Sequence, residues 1–300
     1  MRHQFGTVSP VPRIAFSLEY HGKRFHGSQL QLGVRTVQGE LESAFEVLAK
    51  QPLRVTLSGR TDAGVHAAGQ CFHVDWPEGV IPAGAATAAA IASGLEPGEA
   101  AGDLDLWRLM RSLNGIMKSD IAVSAAQIVP ESFHARFSAN RREYVYRILN
   151  RQQRSALLKD THYQVTYALD VKAMQDGASR LLGQHDFAAF RSTNAEQVST
   201  ICTISRSEIL QLDDGRLEIW IAADRFVYNM VRIIAGTLTE IGLGKRTLES
   251  LETALEKGDR DLSGPTAPPW GLTFQSVRYP KEYNLFELNS FDEKAQGVLP

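Results

Sequence analysis

Apolar residues alternate with other types at Ile14, Phe16, Leu18 and Tyr20, the period-two pattern of a strand with one buried face. At Val37, Leu41, Ala44, Phe45 and Leu48 the spacing becomes three and four, the period of a helix, and Thr36 stands where an N-cap belongs. Alternation returns over 53–59 and at Phe72, Val74 and Trp76. A second helix is expected over 104–116, with Trp107, Met110 and Leu113 on its inner side, and a strand at Ile121, Val123 and Ala125. The first half therefore reads β-α-β-β-α-β.

The second half repeats that order. A strand is expected at Tyr144, Tyr146 and Ile148, then a helix through Val171, Met174, Ala178, Leu181 and Leu182, capped by Asp170 and stopped at Gly183. Strands follow over 201–212 and 217–222. A long helix follows at Val227, Met230, Val231, Ile234, Leu238 and Ile241, and a shorter one, capped by Thr247, over 248–255. The last strand covers 271–277. The pattern predicts an α+β protein of two ferredoxin-like β-α-β-β-α-β halves, antiparallel sheets with helices on one face and a central cleft between them. The expected units are 12–131, 132–280 and a polar tail, 281–300. Residues 83–102 interrupt the first unit with nine Ala, four Gly and no Lys or Arg, which reads as an inserted surface elaboration.

Composition changes this picture little. The chain has 300 residues, is 43% hydrophobic and 22% charged, and carries a net charge of −2. It has room for a real core, and it would not bind nucleic acid through overall charge, only through a local basic cleft. Its two cysteines, Cys71 and Cys202, have neither CxxC spacing nor histidine partners, so neither a disulfide framework nor a zinc site is expected. The first residues lack the apolar core of a signal peptide, and no apolar run approaches a membrane span, so a cytoplasmic protein is expected.

Candidate chemistry starts at Leu57–Gln70, LSGRTDAGVHAAGQ. Asp62 would lie in a loop carried by a rigid sheet, among glycines that permit close approach of a ligand. A carboxylate so placed can act as nucleophile or stabiliser at a sugar C1′. An Asx-turn is the plain alternative, and for an isolated Asp near Gly it is the favoured one. His66 is one ligand short of any metal site and is expected to be structural or to touch RNA. The run from His134 to Arg154 holds six Arg against one Glu, with Tyr144 and Tyr146 sharing one face. Guanidinium beside aromatic ring suits phosphate and base, and an edge strand with solvated charges explains it equally well. On the late helix Asn229 and Arg232 oppose the apolar stripe, with Arg225 on the same polar side. Leu272, by itself, is a core residue.

Taken together and in order, these segments resemble the tRNA pseudouridine synthase A family. GRTDAGVHA resembles its active-site motif, FHARFSANRREYVYRI its next segment, FVYNMVRIIAGTL its late helix and GLTFQSV its last strand. The likeness runs from about Arg13 to Pro280 and reverses the preference for Asp62. It implies a two-domain homodimer that isomerises uridines 38, 39 and 40 of the tRNA anticodon stem-loop, without cofactor or metal. By the same resemblance the catalytic residues are Asp62 as nucleophile, Arg60 and Arg232, the last paired with Asp62 through a two-pronged hydrogen bond. Those binding substrate are Tyr144, Leu272, Arg142 and Asn229. The chain departs from the family at Ser28, where Trp is usual, at Met117-Lys118, where Leu-Pro is usual, and at Cys202, where Arg is common. An RNA-binding protein without catalysis, or a glycosidase acting on free nucleosides, would need only parts of this set.

Overall fold

β1 (Arg13–Tyr20) alternates as expected: Ile14, Phe16 and Leu18 are fully buried on the helix side and Ala15 on the other. The computed structural model describes residues 12–77, 105–192 and 199–286. The Ala-rich segment, the first residues and the end of the tail lie outside them. α1 (Val37–Ala49) follows, its N-cap Thr36 accepting a hydrogen bond from the Gly39 amide at 3.2 Å. β2 is short (Thr56–Leu57), β3 long (His66–Asp75); α2 (Leu106–Ile116) and β4 (Ile121–Val129) complete the first half. The second half holds β5 (Arg141–Asn150), β6 (Tyr163–Val165), α3 (Val171–Ser179), β7 (Gly183–Asp186), β8 (Ile201–Gln211), β9 (Arg216–Ala223), α4 (Met230–Gly242), α5 (Leu248–Lys257) and β10 (Leu272–Arg278).

The α+β class holds, with one difference of consequence. The strands join into a single sheet in the order β4-β1-β3-β10-β5-β9-β8-β7, with β2 beside β3 and β6 beside β5. The last strand lies in the middle, parallel to β3 and antiparallel to β5. Two halves that read as separate sheets are thereby sewn together, with the start of β3 and the middle of β5 on either side of β10.

Phe16 stacks on Phe72 with ring centroids 4.8 Å apart, and Phe45 meets both rings and Trp76 edge-on, fixing α1 to the sheet. On the opposite face Ala15, Cys71, Val129, Phe133 and Ala135 form a second, smaller core. Tyr279, Tyr283, Leu285 and Phe286 cover it, and the Phe286 amide donates to Gln127 at 2.8 Å. The beginning of the polar tail thus docks on the sheet. Both cysteines are buried free thiols.

Some elements differ from expectation. In α2 the inward residues are Leu109 and Leu113, whereas Trp107 is 60% exposed, with the Arg111 guanidinium over its ring. Of the expected inward set, Leu113 and Met110 do pack on the core, and only the large Trp107 ring is turned out. Helix α3 stops at Ser179, leaving Leu181 to reach the core from the following turn. Val227 is buried but precedes α4, and Arg225 is a loop residue, 62% exposed beside Asp224. Among the described residues no helix is long and apolar enough to cross a membrane.

Candidate active site

The loop from Ser58 to Val65 is held by neighbours on several sides. The buried Ser58 hydroxyl donates to Gln70 Oε1, and Gln70 Nε2 donates to the Gly59 carbonyl at 3.0 Å. Thr61 makes a reciprocal pair with Ser28: its amide donates to Ser28 Oγ at 2.8 Å and its carbonyl accepts from the Ser28 amide at 3.0 Å. The Thr61 hydroxyl meets the Tyr20 phenol at 2.7 Å. The Val65 amide closes the turn on the Asp62 carbonyl at 3.1 Å, and Gly64 has φ +82°, a region open to glycine. The backbone on both sides of Asp62 is thus tied to neighbouring segments, and none of these bonds uses its side chain.

It points at Arg232, 170 residues away. Arg232 Nη1 donates to Asp62 Oδ2 at 3.1 Å and to Asn229 Oδ1 at 2.9 Å, while Nε donates to the Ala267 carbonyl at 2.8 Å. The expected two-pronged grip on the carboxylate is therefore a single hydrogen bond. The other donors orient the guanidinium instead. Side-chain exposures of 24% for Asp62 and 16% for Arg232 place the pair at the rim of the interior. Asn229 opens α4 in the left-handed conformation, φ +63°, which Asn tolerates, and its Nδ2 donates to Ser192 Oγ at 2.8 Å. It is a brace for Arg232 as well as a polar residue at the site.

The segment after α5 holds the helix in place. The Ala267 amide donates to the Arg232 carbonyl at 3.0 Å and the Gly264 amide to Thr237 Oγ1 at 2.8 Å. A Cβ on Gly236 would stand 1.8 Å from the Pro265 carbonyl oxygen, so glycine is required for this approach. β10 then brings in Tyr144, whose register partner is Phe274. The Tyr144 ring is buried, edge-on to Phe226 and Phe274 at 4.9 and 5.0 Å. Burial pushes its phenol well above the ordinary range, and the charges of Tyr20 and Asp62 push it further. At neutral pH it is a protonated hydroxyl. Leu272 opens β10, buried beside Tyr146.

The other expected site residues separate into two kinds. Arg60 is exposed next to the Asp62 turn and forms no ion pair with any described residue. Arg142 is largely internal. Its Nη1 donates to the Asp224 and Ala139 carbonyls, and its Nη2 to those of Ser58 and Arg136. Burial lowers its pKa from the usual range. Arg141 pairs with Glu143 at 3.1 Å and Arg147 with Glu218 at 3.0 Å. Much of the basic run therefore ties the fold together, and Arg136 is among those that face solvent.

Tyr20 and the Ala267 carbonyl position the site without any local sequence signal, and Ser28, marked in the sequence only as a departure from the family, and Thr61, inside the motif, gave no sign of their pairing. His66 is structural: Nδ1 accepts from the Gly22 amide at 3.0 Å and Nε2 donates to the Trp270 carbonyl at 3.1 Å. Burial lowers it to about 4, with the neighbouring His21 adding to the effect. His73, whose Nδ1 accepts from the Ala135 amide, is likewise lowered by burial to about 4. Both bind protons more weakly folded than unfolded. Their stabilising contribution is complete above about pH 6.5 and drains as pH falls toward 4. The melting temperature is expected to be level from pH 7 to 8 and to drop between 6.5 and 4, less steeply in His66→Gln. A melting temperature that rises on acidification through that window would refute the assignment.

Among the described residues no group of His, Cys, Asp and Glu is arranged to hold a metal. What the arrangement offers is an oriented carboxylate–guanidinium pair, a buried neutral phenol at Tyr144 and an exposed arginine on the Asp62 loop. Comparison with known proteins gives a consistent set. A family model described as tRNA pseudouridine synthase matches residues 178–280. A tRNA pseudouridine synthase A of Geobacillus sp. (strain WCH70) is 40% identical over 89% of this chain and 98% of its own. That of Bacillus subtilis (strain 168) is 38% identical over 89% and 99%, and that of Dechloromonas aromatica (strain RCB) 38% over 96% and 99%.

Proposed function

This chain belongs to the tRNA pseudouridine synthase A family, and we propose that it converts uridines 38, 39 and 40 of the tRNA anticodon stem-loop to pseudouridine with Asp62 as nucleophile. The observation that carries the role of Asp62 is its hydrogen bond from Arg232, between two segments that also match the family's motifs.

Pseudouridine formation breaks the bond between N1 and C1′, turns the uracil and forms a bond from C5 to C1′. Nothing is gained or lost overall, so the reaction calls for no oxidant, reductant or phosphoryl donor. It needs a positioned carboxylate, a pocket that keeps the freed base, and a path for the C5 proton. Asp62 supplies the carboxylate, and Arg232 holds it at one oxygen, leaving the other for the substrate. Tyr144 presents a hydroxyl for the uracil or for proton transfer, and Leu272 forms apolar wall. Asn229 sets the angle of Arg232, and Arg142 fixes the loop that bears Arg60, which reaches for the RNA. The target base must first leave the helical stack at a cost of a few kcal/mol, which backbone contacts offset, so binding weakens as salt rises. The same reading makes the protein a cytoplasmic homodimer, and light scattering of the purified chain tests the dimer.

The deciding experiment is a chemical map of pseudouridine in an unmodified tRNA transcript, incubated with the purified protein in EDTA and without cofactor. New pseudouridine at positions 38 to 40 is the expected result. A tRNA left unmodified, or modified only elsewhere, would overturn the proposal.

A further inference from the structure

The loop before β5 presents an aromatic ring to water and holds it still. Phe137 is 77% exposed. Its ring lies over that of His134, centroids 4.4 Å apart and planes 31° from parallel. His134 Nδ1 accepts from the amides of both Arg136 and Phe137 at 3.2 Å, and its own amide donates to Ser138 Oγ at 3.0 Å. The Arg136 guanidinium carbon is 5.8 Å from the Phe137 centroid. Arg142 Nη2 donates to the carbonyls of both Arg136 and Ser58, so this loop is bound directly to the one that carries Arg60 and Asp62.

A phenylalanine that covers no core and is nevertheless oriented is suited to a flat partner. Extruding a uridine from an RNA stack leaves its neighbours without a stacking surface on one side. We propose that Phe137 is a stacking subsite for an unpaired nucleotide adjacent to the target uridine, with Arg136 taking that nucleotide's phosphate. This rests on the functional reading above. It adds a contact made by the substrate's neighbouring base rather than by the base that reacts.

The test uses anticodon stem-loop RNAs with 2-aminopurine placed singly at each position flanking the target, and full-length protein as wild type, Phe137→Ala and Phe137→Trp. With wild type, the fluorescence of one position is expected to change on binding as its base stacks on the protein. In Phe137→Ala that change should vanish and Kd should rise about tenfold, the scale of losing one stacked base. Phe137→Trp, with another stacking ring, should bind within about threefold of wild type. Because the ring is exposed, the melting temperature of both variants should stay near wild type. Unchanged affinity in Phe137→Ala overturns the subsite, as does equal weakening in Phe137→Trp. So does a change of oligomeric state in Phe137→Ala, which would make the ring part of a contact between copies. Failure of wild type itself to bind or modify the RNA would instead strike the functional reading, and the subsite with it.

Discussion

Replacing Asp62 by Ala is expected to lower pseudouridine formation by more than about 10⁴-fold, the scale on which removal of an attacking group shows in kcat. Binding of tRNA should stay within about threefold of wild type. The two halves of this expectation have separate causes. Turnover needs a carboxylate at the junction of base and sugar, and the loop offers only this one: the backbone bonds of Ser28, Thr61 and Val65 aim the Asp62 side chain outward. Binding depends on contacts spread along the RNA backbone, of which one residue in the cleft is a small share. The loop geometry is set by its neighbours and not by the carboxylate, so the variant should fold. Single-turnover mapping beside a filter-binding titration measures both. Turnover that survives in Asp62→Ala would remove this residue from the centre of the reaction.

Arg232→Lys should lose about 10- to 100-fold in kcat with KM little changed. Lysine keeps the positive charge, so a purely electrostatic role would leave activity near wild type. The structure gives the guanidinium three tasks at once: Asp62 Oδ2, Asn229 Oδ1 and the Ala267 carbonyl, reached from a rigid plane by Nη1 and Nε. An ammonium on a flexible stem cannot span these directions. The loss corresponds to about one charge-assisted hydrogen bond, roughly 1.5–3 kcal/mol. Asn229→Ala should reproduce part of the defect, since it frees the guanidinium without removing it, and Asn229→Asp should restore some of it. A wild-type rate for Arg232→Lys would mean that charge alone matters here.

Most helices and strands were legible from period alone, because a residue that must face a core recurs every two positions in a strand and every three or four in a helix. The Asp62 loop was legible too, through glycines that permit its turn and through its likeness to a family motif. On the inner face of α2, Leu113 and Met110 were read correctly, while Trp107 was taken as inward and Leu109 was missed. The arginine run was legible as basic, while the division of its members was not. Arg142 donates to backbone carbonyls, and every residue type supplies a carbonyl, so no pattern of side chains announces that those donors are taken.

What the sequence determined by itself, then, is what most segments are and which way most of their apolar sides turn, since these follow from contacts a few residues apart. Which segments meet was decided by tertiary structure. β10 inserts between β3 and β5, joining the Asp62 loop to Tyr144. Arg232 reaches a carboxylate 170 residues earlier, and Ser28, noted in the sequence only as a departure from the family, fastens the turn that aims it. Periodicity specifies that a surface is to be covered and says nothing about by what. The partner is selected by packing of the whole chain.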